Sequence, residues 1–317
     1  MELVNKKFPK TGEQNIPQNI SDSALAPRGH FTTTDGVKIG YRTGGNPAGP
    51  PILFCYGLLC SSFHFKYQWE HFARTHRLLM LDYRAHHISD CPESLSTLNF
   101  PQLAQDLHEF LEHLDIAGPV AVVGHSMGVN VALEFYERFP RDVGRLVLMA
   151  GAATYPARRK VELQRLAFMN SMMKIVDGLF PSMADAFWRR QADAPGADAL
   201  AGYVGFNTKL SKSEDIRRVV QLMSGFSPRV FAQLLGEYIR HDRRNTLARI
   251  EAPTLIISGE CDKAVPVFFQ EQLYLQIRGS QYVSIEDGSH CPQFDRPAEV
   301  NAVMDVFLRG GVVSMTH

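Results

Sequence analysis

The chain has 317 residues, of which 45% are hydrophobic, and its 33 basic side chains are matched by 33 acidic ones. That length allows a sizeable core, and the balanced charge argues against a nucleic-acid partner, which would favour a basic excess. No apolar stretch approaches the ~20 residues that a membrane span needs, and Lys6 and Lys7 precede no apolar core of a secretory signal. Five cysteines, an odd number, favour reduced thiols, so a cytoplasmic location is expected.

Residues 1–28 are polar and rich in Asn, Gln and Pro, which predicts a flexible arm without a core of its own. Two short strand-like runs follow, at 31–34 and 37–42, with Asp35 and Gly36 between them. An Asp-Gly pair favours a hairpin turn because glycine adopts a positive φ without strain. The sequence therefore predicts an antiparallel β-hairpin at the start of the folded region.

Apolar runs of strand length then alternate with helical patterns. The strand-like runs are short and end in turn residues, whereas the helical segments space their apolar residues three or four apart. Such alternation predicts an α/β fold, with a mostly parallel central sheet flanked by helices on both faces. The predicted core covers 29–152 and 248–317, with strands at 51–55, 77–82, 119–123, 145–150, 253–259 and 281–285 and helices at 100–114 and 127–139.

This alternation breaks between residues 153 and 247, where no strand pattern occurs. Apolar residues at 163–176 step at helical spacing, and the segments 182–185 and 211–214 are typical of capping boxes. Ser227 precedes a proline, as at the start of a helix. The sequence therefore predicts a helical insertion, residues 153–247, between the sixth and seventh core strands.

Residues 124–128 read Gly-His-Ser-Met-Gly and lie between an apolar run and a helical pattern. A side chain at either glycine would collide with the strand or the helix beside it, so the pattern is typical of a sharp strand-to-helix turn. Such a turn presents Ser126 at a helix N-terminus, where main-chain N–H groups favour negative charge. The strand before the motif and the helix after it make it a specific signal for a serine nucleophile.

A serine hydroxyl is a weak nucleophile unless a neighbouring base and a third, orienting group activate it. The strand predicted at 253–259 is followed by Asp262, and the strand at 281–285 is followed by His290. Ser126, Asp262 and His290 thus each come just after the carboxyl end of a predicted strand. In an open parallel sheet these ends meet at one crevice, so we expect the three side chains to lie together.

These features resemble the α/β-hydrolase fold family over roughly residues 29–310. The resemblance rests on the motifs at 124–128, 259–262 and 288–290, in the serine, acid, histidine order of the family, and on the segment 82–84 after an early strand. It implies that the helical insertion is a cap domain over the mouth of the site.

The resemblance also implies the role of each side chain: Ser126 is the nucleophile, His290 the base and Asp262 the orienting acid. Glu260 is the alternative acid. Some relatives carry the acid after an earlier strand, but residues 150–153 at that position contain no carboxylate.

Acyl transfer creates an oxyanion that needs hydrogen-bond donors. The resemblance implies that one donor is the main-chain N–H of Met127, directly after the nucleophile. The second is expected from the loop after the strand at 51–55, with the N–H of Leu58 as the candidate. This chain has Tyr56 before Gly57 where the family usually has histidine. The substitution is expected to affect the detailed geometry of this loop but not the triad, and Tyr56 is a candidate pocket residue.

A second departure from the family lies in the loop after the strand at 77–82, where Ala85 and His87 replace glycines. Larger side chains here would narrow the pocket or reshape the loop. His86 and His87 are interpreted as partly solvated loop residues, with contact to substrate as the alternative. An adjacent pair of histidines without a nearby third ligand is a weak metal signal, so no metal and no cofactor are predicted.

The insertion is enriched in methionine and phenylalanine. Some of these residues must pack the cap itself, but methionine also lines adaptable apolar pockets well. Met173 and Phe187 are the first candidates for the substrate pocket. The sequence therefore predicts a small-molecule, apolar substrate of small to medium size.

The resulting prediction is a carboxylesterase-like serine hydrolase that cleaves an ester, thioester or lactone bond. Three alternatives with the same triad stay open: hydrolysis of a C–C bond in a diketone or dienoic acid, cofactor-free perhydrolase chemistry, and a ligand receptor that retains the triad. Ser126 argues against the dehalogenase and epoxide-hydrolase branches of the family, which have aspartate at this position. No sequence pattern indicates the oligomeric state.

Overall fold

A computed structural model describes residues 28–157, 159–180, 182–184, 186, 190 and 205–313. Eight strands of this part of the chain form one sheet in the order β1-β2-β4-β3-β5-β6-β7-β8. The first two pairings, β1 with β2 and β2 with β4, are antiparallel, and all later ones are parallel. The strands are β1 Arg28–Thr32, β2 Lys38–Gly45, β3 Pro51–Cys55, β4 Arg77–Leu81, β5 Val120–His125, β6 Val143–Met149, β7 Thr254–Gly259 and β8 Gln281–Ile285.

The described α-helices follow the strands in the order that an α/β fold requires. Short 3₁₀ helices at Ser62–Phe65, Leu95–Thr97 and Pro140–Asp142 complete the connections. The α-helices are α1 Lys66–Phe72, α2 Phe100–His113, α3 Met127–Arg138, α4 Lys160–Leu179, α5 Ser213–Ser224, α6 Pro228–Arg240, α7 Arg244–Leu247, α8 Val267–Gln276, α9 Pro292–Asp295 and α10 Pro297–Leu308. The predicted α/β fold with a mostly parallel, helix-flanked sheet is confirmed.

The central strands are buried on both faces because their residues are almost all apolar. Every residue of β7 is buried, as are the last four residues of β3 and of β6. Parallel strands covered by helices on both sides have this composition. The antiparallel hairpin at the sheet edge turns at Gly36, whose φ is +86°, as the Asp-Gly pair predicts.

Four of the described α-helices, α4, α5, α6 and the short α7, lie between β6 and β7. The Ser227 hydroxyl caps α6 by accepting a hydrogen bond from Arg229 N at 3.2 Å, as predicted. The capping box predicted at 211–214 is wrong, because the Ser211 hydroxyl donates instead to Asp295 Oδ1 at 2.6 Å. The other predicted box, at 182–185, includes Asp185, which lies outside the described residues.

The long helix α4 has its polar side buried and its apolar side exposed. Asn170 and Asp177 are its buried residues, and Asp177 forms an ion pair with Arg229 of α6. The Lys174 ammonium donates to Gln233 Oε1, also on α6, at 2.9 Å. Large apolar side chains on other sides of the helix are exposed, among them Phe168, Met169, Ile175, Val176 and Leu179. The helix predicted here is confirmed, and it packs on α6 through polar contacts.

The two ends of the segment between β6 and β7 meet beside the sheet. Thr154 and Asp242 form an isolated antiparallel bridge, and Arg243 N donates to Ala153 O at 2.8 Å. The chain therefore leaves and re-enters the core at one place. None of the described helices combines the length and apolar character needed to cross a membrane.

Candidate active site

The turn between β5 and α3 holds Ser126 in a conformation that few residues adopt. Its φ is +56° and its ψ −125°, and its N–H donates to Met149 O of β6 at 2.9 Å. A Cβ on Gly128 would come within 2.0 Å of Cys55 O, so α3 approaches β3 as only glycine allows. A Cβ on Gly124 would lie 2.6 Å from Gly128 O. Both glycines are therefore required by close backbone contact, and the serine is left half-buried at the start of α3.

The three residues predicted to lie together do so at the carboxyl ends of β5, β7 and β8. His290 Nε2 lies 2.9 Å from Ser126 Oγ, and His290 Nδ1 lies 3.0 Å from Asp262 Oδ2. A carboxylate oxygen only accepts, so Nδ1 carries the proton and Nε2 is free to accept from the serine hydroxyl. The geometry is that of a nucleophile, a base and an orienting acid.

Both oxygens of Asp262 are held by hydrogen bonds. Oδ1 accepts from Ala264 N at 2.9 Å and Val265 N at 2.8 Å, and Oδ2 accepts from Gln270 Nε2 at 3.0 Å as well as from His290. The carboxylate is therefore fixed before it orients the imidazole. Glu260, the alternative acid, is exposed and accepts from Asp287 N at 3.1 Å, away from His290.

The imidazole of His125 supports the main chain of His290. Its Nε2 donates to His290 O at 2.8 Å, and burial, together with the nearby His290, holds the pKa of His125 well below its usual range. The ring of His64 stacks on that of His125 at 6.3 Å, and burial lowers the pKa of His64 to about 3. Both rings are therefore neutral at pH 7 and act as packing and hydrogen-bonding groups.

Two main-chain donors are available for an oxyanion. Met127 N–H belongs to the first turn of α3, where helical N–H groups have no partner within the helix. Leu58 N–H lies in the turn after β3 and forms no hydrogen bond within the described part of the chain. A Cβ on Gly57 would lie 3.0 Å from the Ser126 Cβ, so this turn packs directly against Ser126.

The structure separates the roles of Tyr56 and His86 from that of His87. Tyr56 is fully buried, and its hydroxyl accepts from Tyr83 N at 2.9 Å and lies 3.4 Å from Asp82 Oδ1. His86 is also fully buried, so the interpretation of this histidine as partly solvated is wrong. Burial lowers its pKa to about 3. Only His87 of the pair is half-buried, as expected.

Segments between β6 and β7 contact the loops that carry the site. Ser289 Oγ, next to His290, lies 3.0 Å from Gly205 O, and Phe226 packs against the ring of His87 at 4.9 Å. Met173 is half-buried on α4, and its place in the pocket stays a prediction. Phe187 lies outside the described residues.

Gln270 and His125 are the functional neighbours that sequence reasoning missed. His125 was visible only as the variable residue of the Gly-His-Ser-Met-Gly motif, and Gln270 as a polar residue in the first turn of α8. Neither position predicts its partner, because each hydrogen bond joins segments that the fold brings together. Among the described residues, no three His, Cys, Asp or Glu side chains cluster in a way that could hold a metal ion.

Comparison with known proteins agrees with the architecture. Epoxide hydrolase 3 of Xenopus tropicalis is 25% identical over 307 residues, which cover 92% of this chain and 81% of that protein. Monoacylglycerol lipase abhd6-A of Xenopus laevis is 24% identical over 290 residues, covering 90% and 83%. An esterase structure, EaEST from Exiguobacterium antarcticum, matches with a TM-score of 0.70 at 22% identity, covering 89% of this chain and 99% of the esterase. Residues 50–297 match the family of the alpha/beta hydrolase fold, and the chain therefore belongs to that family.

Proposed function

We propose that this protein is a serine hydrolase that cleaves an ester, thioester or lactone bond of an apolar, small-to-medium substrate. The observation that carries the proposal is the 2.9 Å contact between His290 Nε2 and Ser126 Oγ, with Asp262 at 3.0 Å from the other ring nitrogen. This arrangement supplies a base for the serine proton and an acid that fixes the tautomer of the base.

The chemistry divides into two halves. In the first, Ser126 Oγ attacks the acyl carbon while its proton passes to His290 Nε2, and the tetrahedral oxyanion accepts hydrogen bonds from Leu58 N–H and Met127 N–H. The intermediate then collapses, and the leaving alcohol or thiol takes the proton from His290. In the second half, water attacks the acyl-serine, loses its proton to His290, and the acid product leaves as Ser126 regains its proton.

The names of the relatives bear on the class of bond that we propose. A monoacylglycerol lipase and an esterase both act on esters by name, which supports ester cleavage. An epoxide hydrolase is also a relative, but the residue at the turn between β5 and α3 is Ser126. The family resemblance implies aspartate at this position in the epoxide-hydrolase branch, so the serine favours acyl transfer.

The helical segment between β6 and β7 is proposed to act as the cap, with the predicted bounds 153–247. Three contacts support this role: Gly205 O with Ser289, Asn207 Nδ2 with Asp287 O at 2.8 Å, and Phe226 with His87. All three lie at the edge of the sheet where the triad is found. A cap at this edge would decide which acyl chains reach Ser126.

A fluorophosphonate probe tests the nucleophile. We expect the probe to label native protein at Ser126 alone, because among the serines that the structure describes this one has an imidazole at its hydroxyl and two candidate oxyanion donors beside it. Mass spectrometry of the labelled peptide identifies the site, and folded Ser126→Ala protein is the control. Labelling of that variant would contradict the assignment.

Turnover then identifies the bond. A panel of p-nitrophenyl esters of increasing chain length, assayed beside a meta-cleavage-type diketone, separates ester from C–C hydrolysis. Multiple turnover on the esters supports the proposal. Turnover of the diketone alone would favour the C–C hydrolase, and a single turnover followed by arrest would favour a receptor.

A further inference from the structure

The turn that carries the second oxyanion donor is closed at its C-terminal end by Cys60. Cys60 N donates to Gly57 O at 3.2 Å, and Leu59 adopts a φ of +55°, which is costly for leucine. The N–H of Leu58 lies between these residues, so its direction depends on how the peptide units of the turn are held. Within the turn, the main-chain hydrogen bond comes from Cys60 N. That bond does not hold the carbonyl group of Cys60, which belongs to the next peptide unit.

A histidine from another loop holds that carbonyl. His87 Nε2 lies 2.9 Å from Cys60 O, and a carbonyl oxygen only accepts, so Nε2 is the donor. His87 reaches this position with a φ of +45°, in the left-handed region that is strained for a residue other than glycine. Backbone strain that is retained at such a place points to a requirement for the side chain.

The ring of His87 is itself held by a residue from the segment between α5 and α6. Phe226 lies edge-on to His87, with ring centroids 4.9 Å apart, and to His86 at 4.7 Å. Phe226 is only 7% exposed, so it is a packed wall and not a surface side chain. A continuous set of contacts therefore runs from Phe226 through His87 to Cys60 and the turn beside Ser126.

We propose that His87 is a positioning residue for the oxyanion hole, and that Phe226 holds His87 in place. The proposal rests on the function proposed above, in which Leu58 N–H stabilises the tetrahedral intermediate. Without the bond to Cys60 O, the turn can rotate its peptide units and Leu58 N–H loses its alignment. An interaction that forms only with the oxyanion lowers kcat when it is lost and leaves KM almost unchanged.

Two substitutions separate the hydrogen bond of His87 from its packing. His87→Phe keeps a ring against Phe226 but has no donor, and His87→Gln keeps a donor at similar reach but has no ring. We expect His87→Phe to lower kcat by about 10- to 100-fold with KM nearly constant, somewhat less than the loss of an oxyanion donor itself. His87→Gln should recover part of that loss.

A boronic acid, which forms a tetrahedral adduct with serine, provides a readout that a purely structural role would not move. His87→Phe should weaken boronate inhibition by a factor similar to the loss in kcat, while inhibition by butyl p-nitrophenyl ether, the uncleavable analogue of the p-nitrophenyl butyrate ester, stays the same. His113→Phe is the matched control, because this exposed histidine is the last residue of α2 and contacts the Tyr41 hydroxyl of β2 at 3.2 Å. If His87→Phe fails to fold, His87→Gly replaces it, since glycine adopts a positive φ without strain.

The possible results distinguish this inference from the function on which it rests. Suppose that the native protein is labelled at Ser126 and that His87→Phe equals it in kcat and boronate affinity. This result would overturn the proposed role of His87 and leave the proposed function intact. Equal losses in boronate and ether-analogue binding would also overturn it, because they indicate a damaged pocket. Native protein without a reactive Ser126 would overturn both proposals together.

Discussion

The orientation of the His290 ring depends on a carboxylate that is itself immobile. Asp262 accepts four hydrogen bonds, two from main-chain N–H groups, one from Gln270 and one from His290. Its side chain is fully shielded from solvent. A carboxylate so held cannot turn away when the imidazole takes up a proton, so in the proposed reaction the ion pair between them would need no rearrangement.

Replacement of this acid gives the sharpest test at the level of a single residue. Asp262→Asn should keep the fold and lower kcat by roughly 10⁴-fold, because the amide favours the wrong tautomer of His290 and cannot stabilise its cation. Steady-state kinetics on a p-nitrophenyl ester, with a thermal melt as the check on folding, measures the effect. Glu260→Gln is the matched control and should be close to native. The reverse pattern would make Glu260 the acid.

In the loop after β4, Ala85 and His87 stand where the family tends to have glycines, and the backbone there is strained. Ala85 has a φ of +62° and His87 a φ of +45°, so both occupy the left-handed region that favours glycine. The positive φ angles give the conformational reason why the family tends to have glycines at these two positions. The His87 side chain forms a hydrogen bond with Cys60 O. No pattern in the sequence identifies this contact.

Among the elements, the sequence predicted the strands more accurately than it predicted the contacts of the helices. Apolar runs such as Thr254–Gly259 are buried on both faces, so composition alone marks them. The capping box at 211–214 failed because the Ser211 hydroxyl has a partner 84 residues away, Asp295. The helix α1, Lys66–Phe72, was not predicted. Local patterns thus predict elements, whereas the partners of polar side chains depend on the tertiary fold.

The triad shows the same division between local and distant information. Ser126, Asp262 and His290 were predictable because each follows a strand and a parallel sheet brings such ends together. Gln270 and His125 were not, since their roles consist of hydrogen bonds to segments distant in the sequence or across a loop. Sequence motifs therefore predict the three residues of the site, but they do not predict the side chains that hold those residues in place.

At the level of the helix α4, adjacent methionines offer a test of the proposed cap. Met173 is half-buried, whereas Met172 next to it is 40% exposed. If Met173 faces the acyl chain, Met173→Asn should reduce kcat/KM more for longer esters, by about 0.8 kcal/mol for each methylene no longer buried. The measurement compares acetate, butyrate and octanoate esters. Met172→Asn is the control, and equal losses on all three esters would assign Met173 to the packing of α4.

The whole molecule should be sensitive to mild acid, because it buries several neutral histidines. Burial lowers the pKa of His64 and His86 to about 3, and that of His125 well below its usual range. Below pH ~6.5 the unfolded chain binds protons that the folded chain does not. The free energy of unfolding is therefore greatest above pH ~6.5 and falls on acidification toward pH 3, by up to ~1.4 kcal/mol per pH unit for each such histidine.

Urea unfolding at pH 7.5 and at pH 5.5 measures this effect above the range in which most carboxylates titrate. The midpoint should move to lower urea at pH 5.5. His86→Gln removes one of the titrating rings, so its unfolding at pH 5.5 should take up about one proton fewer than that of the native protein. Midpoints that coincide at the two pH values would show that these histidines titrate alike in both states.

The bridge between Thr154 and Asp242 gives the chain a natural point of exchange. The segment between those residues leaves the core and returns to it at one place. The strands on either side of the segment, β6 and β7, pair directly with each other, for example Leu146 with Thr254. Because closing a longer loop costs only about 0.6 kcal/mol for each doubling of its length, the sheet tolerates segments of very different size between β6 and β7. The scaffold can therefore accept a transplanted segment in that position while the chemistry at Ser126 stays as it is. New substrate ranges could arise by such grafting, without any change to the strands that hold the reacting groups.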